Sequence, residues 1–144
     1  MTRLVAVLCF LLLAVPAAQA RMVSIDGAKV NMRSGPGKNY EVVWELGRGY
    51  PLEVLETRGQ WVQVRDVAND TGWVNQKLLS TAAHFIVKKP KINIRSGPSR
   101  KHRVVGMALD GVVFTTLEKR KRWVKVRHEN GLVGWVARDL VWGW

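Results

Sequence analysis

The chain has 144 residues and a formal net charge of +12, from 23 Lys or Arg and 11 Asp or Glu residues. Its single cysteine, Cys9, lies in an apolar N-terminal segment. The rest of the chain therefore cannot form a disulfide, a cysteine nucleophile or a zinc–thiolate site. The length suits one ordinary domain or two very small ones.

The first 20 residues have the pattern of a secretory signal peptide: Arg3 precedes an apolar run over residues 4–15, and Ala18 and Ala20 form a small–x–small cleavage motif. The run is shorter than the roughly 20 apolar residues that a membrane-spanning helix needs. We therefore predict a signal peptide over residues 1–20, a mature chain from Arg21, and export to the periplasm or cell envelope. A retained N-terminal membrane anchor is the alternative.

The remaining residues contain one sequence twice. Residues 30–36 read VNMRSGP and recur as INIRSGP at residues 92–98, an offset of 62 residues that holds without gaps to the Gly-Trp-Val at 134–136. A period this long that occurs only twice indicates a duplicated domain rather than a solenoid. We predict a first unit over residues 21–80, a short linker over 81–83 that favours a fixed arrangement, and a second unit over 84–144.

Both units are predicted to be all-β, because short apolar stretches are interrupted by Gly, Pro, Asn and Asp every ten residues or so. A turn follows at residues 34–37, where Pro36 restricts the backbone and the flanking glycines permit it to bend. At most a 3₁₀ turn is expected, near residues 76–79. The strands predicted in the first unit cover residues 22–25, 30–33, 42–46, 50–56, 61–65 and 71–75.

Three motifs in order, seen twice, resemble the bacterial SH3 domain, specifically its exported tandem-repeat subfamily. In the first unit they are NMRSGP at 31–36, GQWVQV at 59–64 and GWV at 72–74. The resemblance implies two tandem SH3-like small β-barrels that act as targeting modules, most often for peptidoglycan or its peptide stems. Such modules often accompany a cell-wall hydrolase. Since no hydrolase sequence follows the second unit, the resemblance implies a separate hydrolase partner.

Aromatic side chains are the candidates for ligand binding. Trp44 has no aromatic counterpart, because Gly106 stands at the equivalent position, and this favours a local role for its indole. We predict an apolar platform with polar edges that binds sugars or peptides; packing of Trp44 against the other barrel is the alternative. The predicted ligand-binding residues of the two units are Tyr40, Trp44, Trp61, His102 and Trp123.

Other side chains have a structural interpretation. Trp73 and Trp135 are expected to fill small cores that need large aromatics. Arg33 and Arg95 precede the turns and are expected to bond the turn carbonyls or to pair with Glu56 and Glu118, with ligand binding as the alternative. The last residues, 141–144, carry two indoles that either seal the second barrel or lie between the barrels.

Charge separates the two copies. Residues 21–83 carry eight basic and seven acidic side chains, a net +1, whereas residues 84–144 carry fourteen and four, a net +10. Such a field attracts polyanions, and export would limit these to lipopolysaccharide phosphates, anionic phospholipids and peptidoglycan carboxylates. Export also disfavours nucleic acid as the ligand. The alternative to anion binding is that the basic runs are simply solvent-exposed loops. The predicted anion-binding residues are Arg100, Lys101, Arg103, Lys119, Arg120, Lys121 and Arg122.

No residues form a catalytic constellation. His84, His102 and His128 lack metal-ligand spacing, and no serine lies in a nucleophile motif. We predict no enzymatic activity, no cofactor and no metal site. The sequence therefore favours a non-catalytic, exported cell-envelope protein that recognises peptidoglycan or envelope peptides. The alternatives are a protein–protein adaptor in the envelope and an electrostatic binder of anionic lipid or lipopolysaccharide.

Overall fold

The computed structural model describes residues 20–144. The predicted signal peptide, with Cys9, lies outside the described residues except for Ala20. Within residues 20–144, no helix has the length and apolar character needed to cross a bilayer.

The first unit consists of seven strands and one 3₁₀ turn at Gln76–Leu78. The Asn75 side chain caps this turn by accepting a hydrogen bond from the backbone amide of Lys77 at 3.0 Å. The strands are β1 (Met22–Ile25), β2 (Val30–Arg33), β3 (Val42–Leu46), β4 (Pro51–Arg58), β5 (Trp61–Arg65), β6 (Thr71–Asn75) and β7 (Leu79–Ser80).

The second unit repeats this arrangement, with its 3₁₀ turn at Arg138–Leu140. Its strands are β8 (His84–Val87), β9 (Lys91–Arg95), β10 (Val104–Leu109), β11 (Val113–Lys119), β12 (Trp123–Arg127), β13 (Val133–Ala137) and β14 (Val141–Gly143). The all-β class and the duplication predicted from the sequence are confirmed.

Each unit forms one antiparallel sheet of seven strands. The strand order is β3-β2-β6-β5-β4-β1-β7 in the first unit and β10-β9-β13-β12-β11-β8-β14 in the second, which is the same order shifted by seven strands. Side chains alternate between the two faces of a strand, and one face of each sheet carries the core. The first core contains Val23, Ile25, Val30, Met32, Leu46, Leu52, Val62, Val64 and Val74. The second contains Phe85, Val87, Ile92, Ile94, Ala108, Phe114, Val124, Val126, Val136 and Val141.

Two details differ from the strands predicted for the first unit. The predicted strand at 50–56 is β4, which continues to Arg58 because a β-bulge between Val54 and Glu56 lets the pairing with β5 run on to the turn. The short strand β7 was not predicted, and it pairs with β1 at the edge of the sheet. Two residues provide too little alternation to be recognised in a sequence.

The C-terminal segment takes both of the positions considered for it. Strand β14 pairs with β8 and buries Val141, so it completes the second sheet. It also approaches β4 of the first unit. The carbonyl oxygen of Trp144 accepts a hydrogen bond from the Thr116 hydroxyl at 2.6 Å.

The linker is hydrogen-bonded to both units. The Ser24 hydroxyl of β1 donates to the carbonyl oxygen of Ala82 at 2.8 Å, and Nδ1 of His84 lies 2.9 Å from the same oxygen. At the contact between the two units, which we call the seam, a Cβ built on Gly49 would lie 2.7 Å from Cδ2 of His84 and 3.2 Å from Cγ1 of Val113. The backbone of the first unit therefore packs directly against side chains of the second.

Candidate functional site: a groove present in both units

The face of the first sheet opposite the core carries polar and aromatic side chains. Trp61 is paired with Asn75, and Trp73 with Gln63, in the register of β5 and β6. Since cross-strand partners share a face, Trp61 and Trp73 both lie on this outer face, whereas their neighbours Val62 and Val74 belong to the core. Trp73 and Trp135 are 6% and 7% exposed, which agrees with the structural role predicted for them, but both lie outside the main core clusters.

A guanidinium covers one outer-face tryptophan in each unit, Trp73 in the first and Trp135 in the second. The Cζ atom of Arg58 lies 5.3 Å from the centroid of Trp73, which is only 6% exposed. In the second unit, Arg120 lies 5.0 Å from Trp135. Each arginine also pairs with the glutamate two residues before it, Glu56 or Glu118. These tryptophans are thus shielded from solvent by an arginine rather than by the core.

Beside the covered tryptophan of the first unit lies a groove of about 570 Å³ that runs between β2 and the start of β5. Half-buried Trp61 contributes the indole, Asn31 an amide, and Arg33 a guanidinium. The complete lining is Lys29, Val30, Asn31, Arg33, Lys38, Gln60, Trp61, Asn75, Lys77 and Leu78.

The second unit has the same groove. Its volume is about 330 Å³, and its lining comprises Lys91, Ile92, Asn93, Arg95, Arg100, Trp123, Ala137, Asp139 and Leu140. Every one of these residues stands 62 positions after a residue that lines the first groove. The indole, the amide and the arginine are shared. Two equivalent positions of the lining change chemistry, since Asn75 corresponds to Ala137 and Lys77 to Asp139. Gln60 of the first groove corresponds to Arg122, which lines the adjoining pocket instead.

The turn after β2 is held against the groove by Arg33. Its Nη1 donates to the carbonyl oxygens of Lys38 at 3.2 Å and Tyr40 at 3.0 Å. In the second unit, Nη1 of Arg95 likewise donates to the carbonyl oxygens of Arg100 at 3.2 Å and His102 at 3.1 Å. The expected bonding of these arginines to the turn is confirmed.

Tyr40 and His102 lie on the turns themselves. The Tyr40 ring packs on Gly35, and the His102 ring packs on Gly97, so closely that a Cβ at either glycine would overlap the ring. Nδ1 of His102 also lies 2.9 Å from the Ser99 hydroxyl. Both rings are solvent-exposed, but neither lines the groove of its unit.

Trp44 is separated from Trp61 by the sheet. It lies on the edge strand β3 opposite Met32, whose side chain is in the core, whereas Trp61 belongs to the outer face. Trp44 is 53% exposed and does not line the groove. In the second unit, the Leu132 side chain lies against Gly106, the counterpart of Trp44. The structure therefore does not bring the predicted platform of Tyr40, Trp44 and Trp61 together.

The predicted anion-binding residues also divide. Arg100, Lys121 and Arg122 line a pocket of about 720 Å³ beside Trp123. Lys88, which belongs to a basic run over residues 88–91, and Arg138 complete it, although neither is among the predicted anion-binding residues. Arg120 instead pairs with Glu118 over Trp135. The other predicted cations lie outside this pocket: Lys101, Arg103 and Lys119.

Within residues 20–144, no three His, Cys, Asp or Glu side chains are grouped as metal ligands would be. One titratable group is strongly perturbed: burial of the Tyr50 hydroxyl, with the negative charges of Asp66, Asp70 and Asp110 in support, raises its pKa from 10.0 to about 12. Tyr50 packs on the first core, away from the groove.

Two sheets of the same strand order, each with the same groove on its outer face, define a duplicated all-β module. Residues 26–81 and 88–143 each match the family model described as "Bacterial SH3 domain". The chain therefore belongs to the bacterial SH3 domain family, as the sequence motifs predicted.

One curated relative is "Putative N-acetylmuramoyl-L-alanine amidase YrvJ" of Bacillus subtilis (strain 168), which is 30% identical over 138 residues. The match covers 88% of this chain but only 26% of the relative. Among solved structures, NlpC2 from Trichomonas vaginalis is 15% identical, with a TM-score of 0.39 over 88% of this chain and 49% of that one. An NlpC/P60 family protein from Bacillus cereus ATCC 10987 is 14% identical, with a TM-score of 0.39 over 85% of this chain and 56% of that one.

Proposed function

We propose that this chain is an exported, non-catalytic binding module of the bacterial cell envelope, and that it recognises peptidoglycan or an envelope peptide through the Trp61 and Trp123 grooves. The observation that carries the proposal is the duplication of the groove. The indole, the amide and the arginine recur in both units at one spacing. Two copies on one short chain would also bind a repeating polymer with avidity.

The chemistry of the groove suits such a ligand. A half-buried indole offers an apolar face for a sugar ring or a small side chain, and a few directed polar groups give specificity. Asn31 and Asn93 supply amide donors and acceptors. The cations along the groove, such as Lys29 and Lys91, complement the carboxylates of peptide stems. The relative's name, which refers to an amidase of N-acetylmuramoyl-L-alanine, supports a ligand in the cell wall.

Co-sedimentation of the mature chain with purified sacculi tests this function. We expect binding that weakens at least about tenfold, equivalent to about 1.4 kcal/mol, when Trp61 and Trp123 are both replaced by Ala. Trp44→Ala is the matched control, since it also removes a half-exposed indole but one outside the grooves. Failure of the wild-type chain to sediment, or equal losses in both variants, would contradict the groove proposal.

Tyr40 and Trp44, which lie outside the groove, remain proposed ligand contacts, but for a protein partner rather than for a ligand of the groove. Val42, Val43 and Trp44 are 44%, 42% and 53% exposed on β3, which is the last strand of its sheet. An exposed apolar edge strand is suited to protein contacts. This favours an envelope adaptor as the second candidate function. Co-purification of a partner from envelope extracts that is lost in Trp44→Ala, with sacculus binding absent in wild type, would support the adaptor.

A further inference from the structure

The second unit contains a cationic pocket that has no equivalent charge in the first. It has a volume of about 720 Å³, and five basic side chains line it together with one carboxylate, that of Asp139. Trp123 supplies one apolar wall. The basic residues are Lys88, Arg100, Lys121, Arg122 and Arg138.

None of these five cations forms an ion pair with a carboxylate of the described residues. Five ion pairs occur within residues 20–144, and none of them includes a basic residue of this pocket or Asp139. Like charges within a Debye length of about 8–10 Å repel one another. An anion that enters the pocket would relieve this repulsion.

The first unit shows that the fold does not require these cations. At the equivalent positions it has Asp26, Lys38, Gly59, Gln60 and Gln76 in place of the five basic residues. Asp26 is itself paired with Arg48 at 3.1 Å. The same strand order forms with one cation as with five, so the fold does not require five cations at these positions.

One of the five side chains is held in a fixed orientation. Nη1 of Arg138 donates to the carbonyl oxygen of Val141 at 3.1 Å, and its Cζ lies 4.8 Å from the centroid of Phe85. A guanidinium that is already positioned loses little conformational entropy when it binds an anion. The other arginines, Arg100 and Arg122, provide forks that match the oxygens of a phosphate.

We propose that this pocket binds a saccharide that carries two or more phosphate groups, with the sugar against Trp123 and the phosphates among the five cations. Several cations around one indole fit a compact, multiply charged ligand with a ring. Because the pocket is concave, it suits a group that projects from its carrier better than it suits the flat surface of a bilayer. The inference deepens the proposed function and rests on it, because this pocket adjoins the second groove and shares four lining residues with it: Arg100, Trp123, Ala137 and Asp139.

Calorimetric titration of the mature chain with fructose 1,6-bisphosphate tests the proposal. Fructose alone and inorganic phosphate alone are the control ligands, since each is one part of the bisphosphate. We expect the bisphosphate to bind at one site and more tightly than either part, with an affinity that falls as salt rises. Lys121→Gln with Arg122→Gln should weaken binding at least about tenfold. Gln is the natural residue at the equivalent of Arg122, so the fold should be retained.

Lys125→Gln with Arg127→Gln is the matched control. It also removes two positive charges from the second unit, but from residues of β12 that do not line the pocket. It should change the affinity less than about twofold. In the chain that lacks Lys121 and Arg122, Gln60→Arg with Gln76→Arg should recover only part of the binding, since the first unit contributes Lys38 and Lys77 but has Asp26 where the second unit has Lys88. Gly59 is left unchanged there, because its φ of +57° disfavours a side chain.

Equal weakening in the pocket and control variants would overturn the proposal in favour of general charge attraction. Binding to anionic phospholipid vesicles without binding to the bisphosphate would overturn it in favour of a membrane surface. Lipopolysaccharide, its dephosphorylated form and a teichoic-acid polymer then distinguish the natural sources of the phosphosaccharide. Sacculus binding that survives in the pocket variant while bisphosphate binding is lost separates this site from the proposed function.

Discussion

The guanidinium of Arg58 lies over the ring of Trp73, 5.3 Å from its centroid, and Arg120 stands in the same relation to Trp135 at 5.0 Å. Each tryptophan lies on the face of its sheet that is turned away from the core and is nevertheless almost completely buried. The arginine is thus part of the hydrophobic packing, and its charge is balanced by the glutamate two residues before it.

Arg58→Ala is therefore expected to destabilise the protein, since it removes both the cation–π contact and the cover over the indole. We expect a loss of about 0.5–2 kcal/mol in the free energy of unfolding, measured by denaturant titration. Arg48→Ala is the control, because Arg48 forms an ion pair of similar exposure with Asp26 and covers no ring; such pairs contribute about 0–1 kcal/mol. Indistinguishable losses in the two variants would contradict a packing role for Arg58.

Gly35→Ala should disturb the turn that borders the groove, because the new Cβ would overlap the Tyr40 ring. Overpacking of this kind costs about 1–3 kcal/mol. Removal of the ring should relieve it, so Gly35→Ala with Tyr40→Ala is expected to be more stable than the sum of the single changes predicts. Gly47→Ala is the control, since no atom lies within 4 Å of its Cβ position. Additive effects at Gly35 and Tyr40 would show that the ring does not rest on the glycine.

Two glycines with nearly the same backbone angle report on the seam between the units. Gly49 has a φ of +80° and Gly111 a φ of +83°, but only Gly49 has neighbours at its Cβ position, the nearest being His84. Alanine should cost about 1–2 kcal/mol at either position because of its φ. At Gly49 the contact with His84 should add about 1–3 kcal/mol.

A double-mutant cycle between Gly49→Ala and His84→Ala isolates that additional cost, which should largely disappear in the double variant. Thermal unfolding of the four proteins measures it. Equal costs at Gly49 and Gly111 would mean that the two units do not pack against each other in solution.

Stability at high pH should depend on Tyr50. Its pKa rises from 10.0 to about 12 in the folded chain, so the unfolded chain releases this proton first. The contribution of the buried neutral hydroxyl is fully present below pH 10 and is lost as the pH rises towards 12. The resulting loss of stability is on the order of a few kcal/mol at most, because solvent screens a hydroxyl that is only partly buried. We expect Tyr50→Phe to abolish this part of the pH dependence when unfolding free energies are compared between pH 9 and pH 12, and an unchanged slope would contradict it.

Local patterns in the sequence were sufficient for the all-β class, the duplication and most of the strands. Alternation of apolar and polar residues placed strands such as Trp61–Arg65 and Thr71–Asn75 at their observed bounds, because a period of two residues is a property of any strand with one buried face. The repeat also predicted that Arg33 and Arg95 would bond their turns, since both stand beside the same turn sequence. These interactions join residues that are close along the chain.

The composition of the grooves was decided by strand order and register instead. Trp44 and Trp61 looked like parts of one platform, but the register of β3 with β2 places Trp44 opposite Met32 on the core face, while Trp61 faces outward. Lys88 and Arg138 are 50 positions apart in the sequence and line one pocket with Lys121, whereas Arg120, its neighbour, covers Trp135. The duplication, most of the strands and the charge of the second unit could thus be predicted from local patterns. Which side chains share a surface could not, because adjacent residues of a strand point to opposite faces and the neighbours of a strand in the sheet come from distant parts of the chain.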